Sequence, residues 1–147
     1  MDEPEEPCRR SIPAIPRLAL AALAMLLLGL LVTAGALVPD ERGYGTHQQL
    51  GFPPCTFYLV FHRPCPACGM TTSWAWLLRG KIGRALAASA GGTLLAGLAM
   101  AGVPWLSLAA IRGRWPGGSP NNWIMAGVAG VVCLVTAVQW VWRLLTF

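Results

Sequence analysis

The chain has 147 residues, of which 55% are hydrophobic and 12% charged, with a formal net charge of +5. Soluble domains average about 25% charged residues, so this chain lacks the charge to cover a water-facing surface, and lipid is the expected solvent. The basic residues stand at the edges of apolar runs and not on a face interleaved with stacking aromatics, which excludes nucleic acid as a partner. The 17 Gly and 7 Trp agree with a membrane setting, where Gly is tolerated in spans and Trp gathers at the interfaces.

Residues 1–17 hold four acids, three arginines and four prolines without a periodic apolar face, and read as a disordered N-terminal tail. Residues 18–147 then read as one membrane domain. Residues 18–38 carry no charge, and at 1.5 Å per residue they reach about 31 Å, close to the hydrocarbon thickness. Ala34-Gly35-Ala36 offers a rival reading as a signal-peptidase site, against which stand the acidic tail and the length of the apolar run. Pro39-Asp40 closes the span, and Gly43, Gly45, Gly51, Pro53 and Pro54 punctuate a long loop. Within it, Cys55–Phe61 is β-branched and aromatic, and reads as a short extended piece or a dip into the interface.

Cys65-Pro66-Ala67-Cys68-Gly69 follows as an elbow, with Pro66 stiffening the turn and Gly69 permitting it; the elbow and the helix after it occupy 55–84. Met70, Trp74, Leu77 and Leu78 share one helical face, with Thr72 and Arg79 opposite, which predicts a short amphipathic helix at the interface. Trp74 and Trp76 read as interface anchors. Residues 85–111 form a second uncharged span, in which Pro104 marks a kink or an exit. Gly92, Ala96, Gly97 and Ala101 supply small-xxx-small spacing for a close helix approach, a pattern that abundant Gly and Ala also produce by composition alone. After a turn rich in Gly, Pro and Asn, residues 123–142 form the third span, with Trp123 and the Trp140/Trp142 pair set for the two aromatic belts. The fold class is therefore all-α and multi-pass, with three transmembrane helices and one interfacial helix. No internal repeat is present.

Orientation stays open. Three spans put five Arg on the tail side and six basic residues on the other; if residues 64–78 re-enter or cross, the division becomes seven against four. Fifteen residues are short for a crossing.

Three readings of the elbow compete. Cys55 with Cys65 or Cys68 can form a structural disulfide, or all three can pack as thiols. Cys55, Cys65, Cys68 and either His62 or His47 can surround zinc, which takes four such ligands tetrahedrally. Cys65 or Cys68 can also exchange with a partner disulfide, although the βαβ setting of thioredoxin-like pairs is absent. Cys68 stands at the start of a helix, where the thiolate is favoured, so a lowered pKa is expected there. Cys133, inside an apolar run, reads as a small buried hydrophobe, and Cys8 carries no assignment. Catalytic templates fail elsewhere: Ser73 and Thr72 have no adjacent base, and no charged residue falls within the spans. The reading leans away from an enzyme and toward a membrane component or partner-binding subunit. It touches lipid, and a membrane partner or a second copy would dock on its Gly/Ala-rich helix faces. No cofactor is required unless the cysteines take zinc.

Cys55, followed by Cys65-Pro66-Ala67-Cys68-Gly69-Met70-Thr71-Thr72-Ser73, a short helix ending near Gly80 and a small-residue stretch over Ala85–Gly92, resembles the bacterial membrane family called domain of unknown function 2752. That family's pattern is an upstream Cys, then Cys-Pro-x-Cys-Gly-[Leu/Met]-Thr, and the resemblance covers about residues 50–100. Pro66, Gly69 and Thr71 fall on its motif as structural positions. Thr72 departs from the Arg of many members, and Ser89-Ala90 from their Asn-Pro. The resemblance implies a small protein of the bacterial inner membrane and no particular activity.

Overall fold

The first helix, α1 (Ala14–Ala36), begins four residues before the expected span. Pro16 is no obstacle, because N–H groups of the first helical turn have no intrahelical acceptor to lose. The computed structural model describes residues 12–117 and 121–146; most of the expected tail, Cys8 included, lies outside the described residues. The described residues contain helices and no strand, as expected for the all-α class. After α1 come a 3₁₀ turn (Thr46–Leu50), α2 (Thr56–Phe61), α3 (Met70–Leu78), α4 (Ile82–Ala88), α5 (Ala90–Arg112) and α6 (Asn122–Thr146). Three of these, α1, α5 and α6, are long and apolar enough to cross a membrane.

α1 and α5 pack antiparallel. At one end Ile12 N–H donates to the Gly113 carbonyl (2.8 Å), and the Arg17 guanidinium donates to the carbonyls of Ala110 and Ile111. Toward the other end Leu31 and Ala34 of α1 share a buried cluster with Ala96 and Ala99 of α5 and Trp74 of α3. The small residues that seat α5 are Gly92, Ala96 and Ala99, at i, i+4 and i+7. Of the expected quartet, Gly97 and Ala101 face outward instead. Pro104 lies inside α5, which runs eight residues past it, so it marks no exit.

The expected second span over 85–111 is two helices. Ser89 breaks it in extended backbone (φ −168°, ψ 112°) and caps α5, its hydroxyl accepting the Gly92 N–H at 3.0 Å. A serine that offers its side chain to the backbone favours caps over helix interiors, and it stops α4 at Ala88. Cys55–Phe61 is likewise neither extended nor a strand. Its last six residues form α2, closed by His62 in the left-handed region (φ 53°). Phe57 and Phe61 stack one turn apart at 4.7 Å, a helical pairing that outweighs their strand propensity.

α3 is buried on more than its apolar stripe. Trp74 and Trp76 lie inside, and so do Ser73 and, from the side expected to meet water, Thr72. Thr72 satisfies its hydroxyl against Thr46 (2.8 Å), which also accepts the Asp40 N–H. Both ends of α3 stay at one end of the bundle: Arg79 donates to the carbonyls of Gly35 and Leu37 (3.1 and 2.9 Å), while Met70 and Ser73 abut Gly92. Residues 64–78 therefore do not cross. The loop, the elbow and the last turn of α6 gather at this end with Arg42, Arg63, Arg79, Lys81, Arg84 and Arg143.

Arginines close three helix C-termini from other segments: Arg17 on α5, Arg79 on α1 and Arg143 on α4. Each satisfies carbonyls that the helix leaves unpaired and places a cation at the negative end of its dipole.

Candidate thiol site

Two successive turns build the elbow. Cys68 N–H donates to the Cys65 carbonyl (3.0 Å) and Met70 N–H to that of Ala67 (3.2 Å). Pro66 holds the second position of the first turn, which its fixed φ suits. Gly69 holds the third position of the second at φ 95°, ψ −4°, a region closed to most side chains. A Cβ there would also collide with the Ala88 carbonyl and lie 2.7 Å from that of Gly43. Gly69 is thus the point where loop, elbow and the α4–α5 junction meet. Thr71, the second residue of α3, is half-buried.

This geometry brings together three sulfurs from two segments. The Sγ atoms of Cys55, Cys65 and Cys68 all lie within 4.8 Å of one another, and Cys65 approaches Cys68 to 3.1 Å. Cys55 and Cys65 are half-buried and Cys68 is buried, all as free thiols. Neither His62 nor His47 joins them among the described residues. His62 is taken up in closing α2, where its N–H meets the Tyr58 carbonyl, and His47 sits in the 3₁₀ turn. Cys133 does not pack inward: it is exposed on α6.

The three thiols differ electrostatically, and the order reverses expectation. Burial drives the Cys68 pKa up to about 12, reinforced by the Cys65 thiol. Although Cys68 stands near the start of α3, Gly69 intervenes, and desolvation dominates. At Cys55 desolvation also pushes upward, but the Tyr58 N–H, the thiols of Cys68 and Cys65 and the Phe57 N–H outweigh it, so its pKa falls below the ordinary value. Cys55 precedes α2 directly, so the signal of a thiol at a helix start was legible in sequence but attached to the wrong helix. Because the thiolate is the nucleophile, a maleimide titration of metal-free protein should modify Cys55 first as pH rises. Cys68 should lag, its rate still climbing toward pH 12. Equal pH profiles for Cys55 and Cys68, read by peptide mass spectrometry, would contradict this order.

Arg143 was not singled out by sequence reasoning. It reaches from the last turn of α6 to the Cys68 carbonyl (3.2 Å), the Ala87 carbonyl (2.8 Å) and that of Ala88. Trp140, expected only as a belt residue, donates from its indole to the Pro64 carbonyl (3.1 Å) and so braces the elbow. The only sequence signal for either was position, at the end of a span.

Chemically, three thiolates at this spacing suit a soft cation. Tetrahedral zinc–thiolate bonds of about 2.3 Å set sulfurs about 3.8 Å apart, between the shortest and longest separations here. Three ligands leave a fourth position open. The Cys65–Cys68 pair is also close enough to bond to itself after a small rotation.

No curated protein and no solved structure matches the chain. Residues 55–103, which carry all three clustered cysteines, Gly69 and the first half of α5, match the family model described as "Protein of unknown function (DUF2752)".

Proposed function

We propose that this chain is a non-enzymatic component of the bacterial inner membrane that holds a zinc ion at its elbow. Cys55, Cys65 and Cys68 are the ligands, and the fourth position is left for water or a group from a membrane partner. The observation that carries this reading is the convergence of three free sulfurs within 4.8 Å, from segments ten residues apart in sequence. Zinc fits the donor set because soft thiolates favour it, and binding would displace the thiol protons, Cys68's included. Membrane placement rests on three helices of spanning length and composition.

The test is metal content of reduced, zinc-loaded protein in detergent. One equivalent of zinc per chain is expected, protecting three thiols from alkylation and leaving Cys8 and Cys133 reactive. Serine at position 55, 65 or 68 should lower retained zinc at least ten-fold, and His62→Ala should leave it unchanged. Protein that retains no zinc, or keeps it after Cys68→Ser, would overturn the reading.

The 3.1 Å approach of Cys65 to Cys68 favours a second reading, thiol–disulfide exchange. There the pair would pass two electrons and two protons to a partner disulfide, forming one S–S bond and releasing two partner thiols. Reversible cycling against a glutathione buffer, without bound zinc, would establish it instead.

A further inference from the structure

Beside the elbow, and separate from its sulfurs, the loop after α1 and the α3–α4 hairpin enclose a cavity of about 380 Å³. Glu41, Arg42, Gly43, Trp76, Arg84 and Ala88 line it, and Lys81 stands outside this lining. Trp76 is buried, and two cations lie over its ring: Lys81 Nζ at 5.1 Å and Arg84 Cζ at 4.8 Å from the centroid. The negative face of the ring attracts each of them, while the two repel one another. Neither forms an ion pair among the described residues; the one ion pair there joins Arg42 to Asp40 at 2.7 Å. Three cations (Arg42, Lys81 and Arg84) against two acids (Asp40 and Glu41) leave the group a net charge of +1. The cavity opens where α1 ends and α5 begins, the depth at which a bilayer presents its headgroups.

We infer that this cavity binds the phosphodiester of a membrane lipid headgroup, with Arg84 and Arg42 of its lining as phosphate contacts and Lys81 reaching the phosphate from its place over Trp76. A phosphodiester carries one negative charge, which matches the net charge of the group; a polyphosphate would bring more negative charge than the group balances and would meet the Glu41 carboxylate in the cavity lining. Arginine presents several donors in a fixed fork suited to phosphate oxygens, and Trp76 holds Arg84 in place while leaving its edge free.

The test is native mass spectrometry of the full chain in detergent, with phosphatidylglycerol, diacylglycerol and inorganic phosphate offered separately at equal concentration. One phosphatidylglycerol should survive delipidation, while diacylglycerol and phosphate wash away. The double variant K81Q/R84Q should retain at least five-fold less, K81R/R84K should retain the lipid, and R114Q at the opposite end of the bundle should match the parent. Unchanged retention in K81Q/R84Q overturns the inference, as does equal retention of diacylglycerol. Retention of inorganic phosphate in place of the lipid overturns the lipid as source and makes a soluble phosphate the ligand. None of these outcomes depends on zinc at the cysteines, so this inference and the metal reading fail separately.

Discussion

Gly69→Ala should unfold the cysteine end of the molecule. Two costs add at this position. The backbone stands at φ 95°, where a Cβ costs about 1–2 kcal/mol. The added methyl would also meet two backbone carbonyls, those of Ala88 and Gly43, neither of which belongs to a flexible side chain that can step aside. Overpacking of that kind costs about 1–3 kcal/mol, so the sum is about 2–5 kcal/mol, a large share of the stability of a small domain. Gly80→Ala is the internal comparison. Gly80 also has positive φ (72°), but nothing lies within 4 Å of where its Cβ would go, so only the conformational cost of about 1–2 kcal/mol remains. Denaturant titration in detergent should separate the two variants by more than 1 kcal/mol. Zinc retention should fall with Gly69→Ala, because Cys68 precedes the displaced residue, and stay intact in Gly80→Ala. Equal stabilities would mean that the carbonyl pair yields, and the meeting point assigned to Gly69 would be wrong.

How much of this was legible beforehand depends on the range of the interaction. The three long helices announced themselves through uncharged runs of spanning length, because lipid forces apolar surface to be continuous along the chain. The elbow was legible too: Pro66 and Gly69 are local requirements of turn geometry, written in the residues that make the turn. Ser89 was less so. A single cap inside an uncharged run carries no hydropathy signal, and the break between α4 and α5 went unseen although serine is a good cap. Burial of α3 was missed for another reason. Thr72 looks polar on a helical wheel, but its hydroxyl is satisfied by Thr46, 26 residues away, and such a pairing has no local trace. Cys55 was named as a third member from proximity alone, whereas the exclusion of His62 required knowing that α2 exists and that His62 closes it. The pKa order reversed because burial raises Cys68, while the Tyr58 and Phe57 N–H groups at the start of α2 and the neighbouring thiols outweigh burial at Cys55.

Arg143→Met should release α6 from the rest of the molecule. Nothing on α6 is buried, and its outward residues, Trp123, Ile124 and Leu134 among them, are exposed to the bilayer. Lipid is as apolar as those side chains, so hydrophobic burial supplies no force holding α6 to α5. What remains is polar and steric. Gln139 accepts the Ala90 N–H (2.6 Å) and donates to the Leu86 carbonyl (3.0 Å), serving the end of α4 and the start of α5 at once. Thr136 seats against Gly91, where no side chain would fit. Arg143 closes the last carbonyls of α4 and that of Cys68. Removing a donor from a buried acceptor costs about 1–3 kcal/mol. The three carbonyls here are only partly shielded, so about 2–4 kcal/mol is expected in total. Arg143→Lys should recover part of it, since an ammonium on a flexible stem cannot span all three carbonyls as the guanidinium fork does. Two measurements check this. The thermal midpoint in detergent should fall in the order parent, Lys, Met. The alkylation rate of Cys68 at fixed pH should rise at least ten-fold in the Met variant, because α6 no longer covers the elbow. A Met variant with parental Cys68 reactivity would show that α6 stays seated on Gln139, Thr136 and the Trp140–Pro64 hydrogen bond without Arg143.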